Sequence, residues 1–515
     1  MALAESGHDP WSAASQVDVR KPLERGRGAW QILGMDLDHD ACYRALSQRD
    51  SRFDGRFFTA VKTTGIYCRP VCTARVPHSK NVVFYPTAAA AQEAGFRPCL
   101  RCRPETAPDM GAWRGTSNTV SRALSLIELG ALDRGDVEAL AERLGLGERQ
   151  LRRLFRQHLG ASPVGVAQTR RILLAKQLIH ETRLPMAEIA FASGFGSVRR
   201  FNEAFLALFQ RAPGELRRLA GGEVEVESGG EFSLLLRYQP PYEWPQMLEF
   251  FRQRAIGGME TVSENRYCRA VSLDGIQGSI SIEPASSNAL RAGIRVSKLS
   301  IVPSIIARLR RVFDLAADPL AIGKHLSQDP ILAPLVSKRP GLRVPGAWDG
   351  FELAIRAVLG QQITVTAAVR LATRLVETYG ERLAAPAHGL SRLFPNPEVL
   401  ARADLRSLGM PQSRAATLSA VATACLENPE IFASNCGLEE AVQRLRAIRG
   451  VGEWTAQYIA LRQLREPDAF PASDLGVLRA LTDERGIRPN AADVLTRAER
   501  WRPWRAYAAQ HLWAA

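Results

Sequence analysis

The spacing of apolar side chains changes character along the chain. From Ser300 onward apolar residues recur three and four positions apart almost throughout, which predicts a nearly all-helical body over 301–515. Ahead of it, FSLLLRY (232–238) and the stretch from Tyr267 to Val296 read as strands, predicting an antiparallel sheet subdomain over 231–300. Between 119 and 219 the helical period returns, and two segments there share one grammar. LAERLGLGERQLRRLF sets Leu140 and Ala141 before a turn at Gly145, with Leu151 and Phe155 one helical turn apart after it. IAFASGFGSVRRFNEAF repeats the scheme with Ile189 and Ala190, Gly194, then Phe201 and Phe205. A short helix, a glycine turn and an amphipathic second helix, twice over, predict an all-α tandem helix-turn-helix domain. Its second helices carry Arg149, Arg152 and Arg153 in one copy and Arg199 and Arg200 in the other. Residues 1–37 are polar and aperiodic and read as a flexible lead-in. PETAPDMGAWRGTSN (104–118) and AGGEVEVESGGE (220–231) read as linkers.

The segment 38–104 is organised by cysteine rather than by period. Cys68-x3-Cys72 is followed, after 26 residues, by Cys99-x2-Cys102. Two tight pairs at this separation fit a four-cysteine zinc site, each pair closing half a tetrahedron. Metal binding would also hold together a small α+β domain with little core. By spacing alone the usual role is structural. Cys42 lies outside both pairs and reads as a core residue.

The residues around the cysteines resemble a known family. FFTAVKTTGIYCRPVCTAR (57–75) and GFRPCLRC (95–102) are similar to the N-terminal domain of the adaptive-response regulator Ada. That resemblance implies that Cys68 accepts a methyl group from a methylphosphotriester, and that Thr64, Arg75, Arg97 and Arg101 hold the DNA backbone. The helix-turn-helix pair resembles the AraC-type regulator domain, implying promoter DNA as a partner. The alternative is that the arginines serve as an unspecific anchor, since phosphate contacts position a protein without reading sequence.

Toward the C-terminus, LRAIRGVGEWTAQYIALRQLREPDAFPASDLGVLRAL (445–481) reads as a helix, a Gly450-Val451-Gly452 hairpin and a second helix carrying Trp454 and Tyr458. Asp474 follows Trp454 by 20 residues, after Pro471. Glycines at a helix N-terminus expose N–H groups that can hold a phosphate. This pattern resembles the helix-hairpin-helix glycosylase superfamily. PPYEWPQMLEFFRQRA (240–255), RPGLRVPGAWDGFELAIRAVLGQQIT (339–364) and ERWRPWRAYAAQHLW (499–513) narrow the resemblance to 3-methyladenine DNA glycosylase II, the AlkA type. The resemblance implies that Asp474 is catalytic, that Trp454, Tyr458, Trp513 and Phe250 line the base pocket, and that Gln362 stands where a relative wedges a leucine into the duplex. It also admits a monovalent cation at the hairpin. Trp454 occupies the position where bifunctional relatives carry a lysine nucleophile, so base excision without strand cleavage is expected.

Composition adds a partner. Among 515 residues the net charge is +14 and the pI about 9.8, which favours a polyanion such as DNA. The start, MALAESGHDPWSAASQ, lacks the pattern of a signal peptide, and no apolar run is long enough to span a membrane. A cytoplasmic protein without a membrane partner is expected. No Pro-Cys-His run occurs, and Cys268, Cys425 and Cys436 lie in unrelated contexts, so repair of O6-alkylguanine is not expected. Taken together, the reading is a multidomain, mainly α protein joining a zinc methyl acceptor, a helix-turn-helix region and a glycosylase that excises alkylated bases from double-stranded DNA. The alternative is a regulator of the alkylation response, switched on by methylation of Cys68, with RNA polymerase as a further partner.

Overall fold

The computed structural model describes residues 30–32, 35–108, 118–220, 231–286 and 288–515. The expected lead-in over 1–37 and the two expected linkers fall wholly or largely outside these residues. The described residues form two compact units. One holds the residues up to Ala107 together with Arg152–Thr169; the other holds those of 108–151 and 170–515.

In the first unit, strands β1 (Trp30–Ile32) and β2 (Met35–Leu37) pair antiparallel. A four-stranded sheet follows, from β3 (Phe58–Val61), β4 (Ile66–Cys68), β5 (Val82–Tyr85) and β6 (Arg97–Pro98), in the order β5-β3-β4-β6. Its core is slight: Phe57, Phe58 and Tyr67 are buried, and Cys42 packs with Ala45 and Phe57, as a core residue should. The parallel pairing of β4 with β6 sets Tyr67 opposite Pro98. The two cysteine pairs therefore leave the same end of the sheet. The unit also grips residues 156–162. Glu93 accepts from Arg156 Nη1 (2.5 Å) and the Ser162 amide (2.8 Å), and Thr87 Oγ1 donates to the Leu159 carbonyl (2.8 Å).

The helix-turn-helix pairs are Val137–Arg143 with Glu148–Leu159, and Met186–Ala192 with Val198–Phe209. Gly145 and Gly194 sit at φ 68° and 91°, the left-handed backbone that each turn requires. Leu140, Ala141, Leu151 and Phe155 are buried, and so are Ile189, Ala190, Phe201 and Phe205.

A five-stranded antiparallel sheet opens the C-terminal region, in the order β7-β11-β10-β9-β8. Its strands are β7 (Phe232–Arg237), β8 (Glu260–Val262), β9 (Tyr267–Leu273), β10 (Ile276–Ala285) and β11 (Ala289–Val296). The helix Trp244–Arg252 buries Trp244, Met247, Leu248 and Phe251 among the sheet's apolar residues. Four charges, three of them buried and Arg356 half-buried, join this sheet to the helix Gly350–Leu359. Arg269 of β9 donates to Glu352 (2.7 Å), and Arg356 donates to Glu260 of β8 (2.6 Å) and to Glu352 (2.9 Å). Burial alone would raise the Glu352 carboxyl; Arg269 and Arg356 hold it below its ordinary range.

Beyond Ser300 the body is helical with one exception. Strands β12 (Arg382–Ala387) and β13 (Leu390–Arg392) form a hairpin turned by His388 and Gly389, both at positive φ. The helical period does not reveal it because the hairpin is held from outside: the amides of Ser391 and Arg392 donate to the Gly258 carbonyl (2.7 and 3.0 Å). No helix among the described residues is long and apolar enough to cross a membrane.

The C-terminal helix Arg505–Trp513 carries His511, which is buried. Burial and the nearby Arg339 push its imidazole down to about 4. An unfolded histidine titrates near 6.5. The unfolded chain thus takes the proton first as pH falls, and stability present above about 6.5 is lost toward pH 4. Calorimetric scans should show the unfolding transition of this region moving down between pH 7 and 5. The His511→Gln variant should flatten that dependence; an identical slope would contradict the assignment.

Candidate active site and metal centre

The hairpin is built by the helices Leu438–Arg446 and Glu453–Ile459 around Gly450. Gly450 lies at φ 85°, and a Cβ there would fall 2.0 Å from Thr417 Oγ1, so no other residue fits the turn. Val451 is buried and Gly452 exposed. Just beyond, Asp474 caps the helix Leu475–Ala480, accepting from the Gly476 and Val477 amides (2.8 and 3.1 Å). The same carboxylate takes two indoles. Trp513 Nε1 donates to Oδ1 (2.7 Å) and Trp454 Nε1 donates to Oδ2 (2.8 Å). Capping and site are thus one arrangement. Oδ1 has three donors and Oδ2 one, which leaves lone-pair capacity on Oδ2.

Trp454 stacks on Tyr458 with ring centroids 5.2 Å apart, and Tyr458 meets Trp513 edge-on at 6.4 Å. Phe250 reaches this cluster through Arg462, whose guanidinium lies 4.5 Å from the Phe250 centroid, 4.9 Å from that of Tyr458 and 5.1 Å from that of Trp513. The four aromatics singled out in the sequence are therefore brought together, on partly exposed side chains. Gly476 matters as well: a Cβ there would sit 2.9 Å from Trp513 Cδ1.

Gln362 is exposed in a left-handed conformation, φ 58°. Its neighbour Gln361 ties that loop to the hairpin, its Nε2 donating to the Gly450 carbonyl (3.2 Å) and to Thr455 Oγ1 (3.0 Å). Sequence reasoning passed over Gln361, Gly476 and Arg462. Arg462 had a signal, since it falls four and eight residues after Tyr458 and Trp454, on the same helical face.

At the other site, the sulfurs of Cys68, Cys72, Cys99 and Cys102 all lie within 4.8 Å of one another. Ligands at about 2.3 Å around one zinc have just such separations. The Arg69 amide donates to Cys102 Sγ (3.3 Å), and the Cys99 amide to the Tyr67 carbonyl (3.0 Å). Four thiolates this close repel one another, so all four ionise together only around a cation. Thr64, Arg75 and Arg101 are exposed and Arg97 half-buried on β6. Arg149, Arg152, Arg199 and Arg200 are exposed on their helices, Arg199 pairing with Glu203 (2.7 Å).

A hairpin feeding a capped aspartate ringed by aromatics defines a helix-hairpin-helix base-excision protein, here preceded by a four-cysteine metal domain and helix-turn-helix elements. Comparison with known families agrees segment by segment. Residues 41–105 match the metal binding domain of Ada, 140–219 a helix-turn-helix domain, 233–349 the AlkA N-terminal domain, and 355–506 the HhH-GPD superfamily of base excision DNA repair proteins. Over 481 residues, 93% of this chain and 97% of the relative, it is 41% identical to the probable bifunctional transcriptional activator/DNA repair enzyme AlkA of Mycobacterium tuberculosis. The chain belongs to that family. It is also 35% identical to DNA-3-methyladenine glycosylase 2 of Escherichia coli, over 54% of this chain and 95% of that one. With the bifunctional transcriptional activator/DNA repair enzyme Ada of E. coli it shares 39% identity over 25% of this chain and 34% of that one.

The metal centre is a zinc site, expected to hold one ion per chain. Metal analysis of the purified protein should find that stoichiometry. Cys99→Ser, which removes a buried ligand, should lose the metal and loosen the first unit; full occupancy in that variant would contradict the four-sulfur assignment.

Proposed function

We propose that this protein excises alkylated bases, of the 3-methyladenine and 7-methylguanine type, from double-stranded DNA by hydrolysis, with Asp474 as the catalytic carboxylate. The observation that carries the reading is the double indole grip on Asp474 at the aromatic cluster. A base reaches such a pocket only when its nucleotide is flipped from the stack. Trp454, Tyr458, Trp513 and Phe250 then offer π faces to the base. An alkylated purine carrying positive charge is already a good leaving group. As the glycosidic bond breaks, the base keeps the electron pair and positive charge develops on the sugar. Asp474 opposes that charge through Oδ2 and helps to orient the water that completes hydrolysis. Gln362 fills the gap left by the flipped nucleotide, and Gly450, Val451 and Gly452 hold a backbone phosphate, where a monovalent cation would assist.

The Asp474→Asn variant is the test, and the geometry refines what it does. The amide oxygen can replace Oδ1 and keep the helix cap, since Asn caps about as well as Asp. Its NH2 group then faces the Trp454 indole N–H, donor against donor. Base release in single turnover should fall by about 10²–10³ or more, while binding to a duplex with an abasic-site analogue stays nearly intact. Retention of more than roughly a tenth of the wild-type rate would remove Asp474 from the role. Borohydride should trap no covalent adduct with the wild type, because Trp454 has no amine.

A second activity is supported by the zinc cluster. Zinc keeps its thiolates deprotonated at neutral pH. The Cys68 sulfur forms a bond to the methyl carbon of a methylphosphotriester, the carbon–oxygen bond breaks, and the phosphodiester leaves with the electron pair. Thr64, Arg75, Arg97 and Arg101 hold the DNA backbone meanwhile; Arg75, Arg97 and Arg101 form no ion pair with another described residue, so their charge is available. The transfer removes one negative charge from the cluster, easing approach to phosphate. Arg149, Arg152, Arg199 and Arg200 would then meet promoter DNA, with RNA polymerase as a cytoplasmic partner. Methylated protein should bind its promoter more tightly than unmethylated protein across a salt series. Equal binding to promoter and random DNA in both forms would leave the front half a plain anchor.

A further inference from the structure

The base-release reading leaves one buried charge without a task. Arg462 is only 3% exposed. Its Nη1 donates to the Pro345 carbonyl (2.8 Å), its Nε has no hydrogen-bond partner, and it forms no ion pair with another described residue. A buried cation ordinarily sits against a carboxylate. Here the compensation comes from the Tyr458 hydroxyl, a polar neighbour of the guanidinium, and from the rings of Phe250, Tyr458 and Trp513, each within about 5 Å of it. The backbone is specialised to this end. The helix bearing Trp454 and Tyr458 continues as a π-helical turn, Ala460–Leu464, with Arg462 at its centre. Such turns re-aim side chains and recur at functional sites. Phe250 carries a second cation, Arg254, at 4.1 Å. The charge is felt in the pocket: burial would raise the Tyr458 hydroxyl, yet Arg462 and Arg254 bring it below its ordinary value.

We propose that Arg462 is a specificity-determining residue, setting how strongly the aromatic pocket prefers a positively charged base over an uncharged base of the same shape. The proposal rests on the reading of these rings as the base pocket. A ring face attracts a cation through its quadrupole. Rings that already compensate a guanidinium have part of that attraction spent, and the guanidinium itself repels an incoming cation in a site of low dielectric. A cationic alkylpurine is therefore held less firmly than it would be were those three rings unoccupied. An uncharged base suffers no such loss. Arg462 narrows the gap between the two and admits a wider range of damaged purines.

The experiment compares two uncleavable lesions in one duplex sequence, 2′-fluoro-7-methylguanine and 2′-fluoro-7-methyl-7-deazaguanine. They match in shape and differ by one positive charge. Affinities are measured for the full chain, relative to undamaged duplex, with wild type, Arg462→Gln, Arg462→Met and Arg462→Lys. Gln keeps a donor for the Pro345 carbonyl, and Lys keeps the charge. The affinity ratio of cationic to neutral lesion should rise about tenfold in the Gln and Met variants, the scale of a desolvated cation–π contact, and stay at the wild-type value with Lys. An unchanged ratio in the neutral variants, or a Lys variant that behaves like Gln, would overturn the proposal. So would neutral variants that fail to fold beside an intact Lys variant, since the charge would then serve stability. Wild-type protein that binds both lesions no better than undamaged duplex would overturn the pocket reading and this assignment with it.

Discussion

The candidate pocket depends on four paired charges between the sheet and the helical body, three of them buried and Arg356 half-buried. Phe250 and Arg254 belong to the sheet side, while Trp454, Tyr458, Arg462 and Trp513 come from helices some two hundred residues later. Arg356 is the link. It donates to Glu260, to Glu352 and to the Arg254 carbonyl (2.8 Å), so the chain beside Phe250 is fastened directly to the helix that leads to Gln362. Ion pairs of this kind add little net stability, because desolvation offsets their attraction. They do fix register. Apolar layers can slide by a rotamer, whereas a displaced Arg356 would leave charges unpaired in the interior.

The fold was largely legible in the sequence because its period and its cysteines report local structure. Strand alternation in FSLLLRY and the paired glycine turns at Gly145 and Gly194 needed no long-range information. The cysteine spacing suggested the cluster, but the reason it closes, parallel pairing of β4 with β6, lies in contacts between distant segments. The β12–β13 hairpin was hidden for the same reason, its partner being the Gly258 carbonyl. Within the site, resemblance singled out the carboxylate and the rings. It did not reveal that both indoles donate to that carboxylate, nor that a π turn inserts a cation behind the rings. A 3.6-residue period describes an ideal helix, and the departure from it at 460–464 is what aims Arg462.

Asp474 caps a helix, and under the proposed mechanism the same contacts would serve it as a catalytic group. The three donors on Oδ1 hold the carboxylate in one rotamer, and the cost of orienting it is met during folding rather than during reaction. Trp513 can approach only because Gly476 lacks a Cβ. The most demanding packing in the site therefore falls on a glycine with no chemistry of its own.

Gln361 has a consequence for how the protein meets undamaged DNA. Its amide bonds both the Gly450 carbonyl and Thr455, while its own carbonyl accepts from Arg414 (2.5 Å). The finger that would enter the duplex and the turn that would clasp its backbone are thereby one rigid tool. If the two play the parts proposed for them, clasping and probing would be coupled, each stop along the duplex also being a trial of the local stacking. A site weakened by damage would yield to that trial, and an intact one would resist it. Scanning speed and lesion discrimination would then be two readings of the same mechanical coupling.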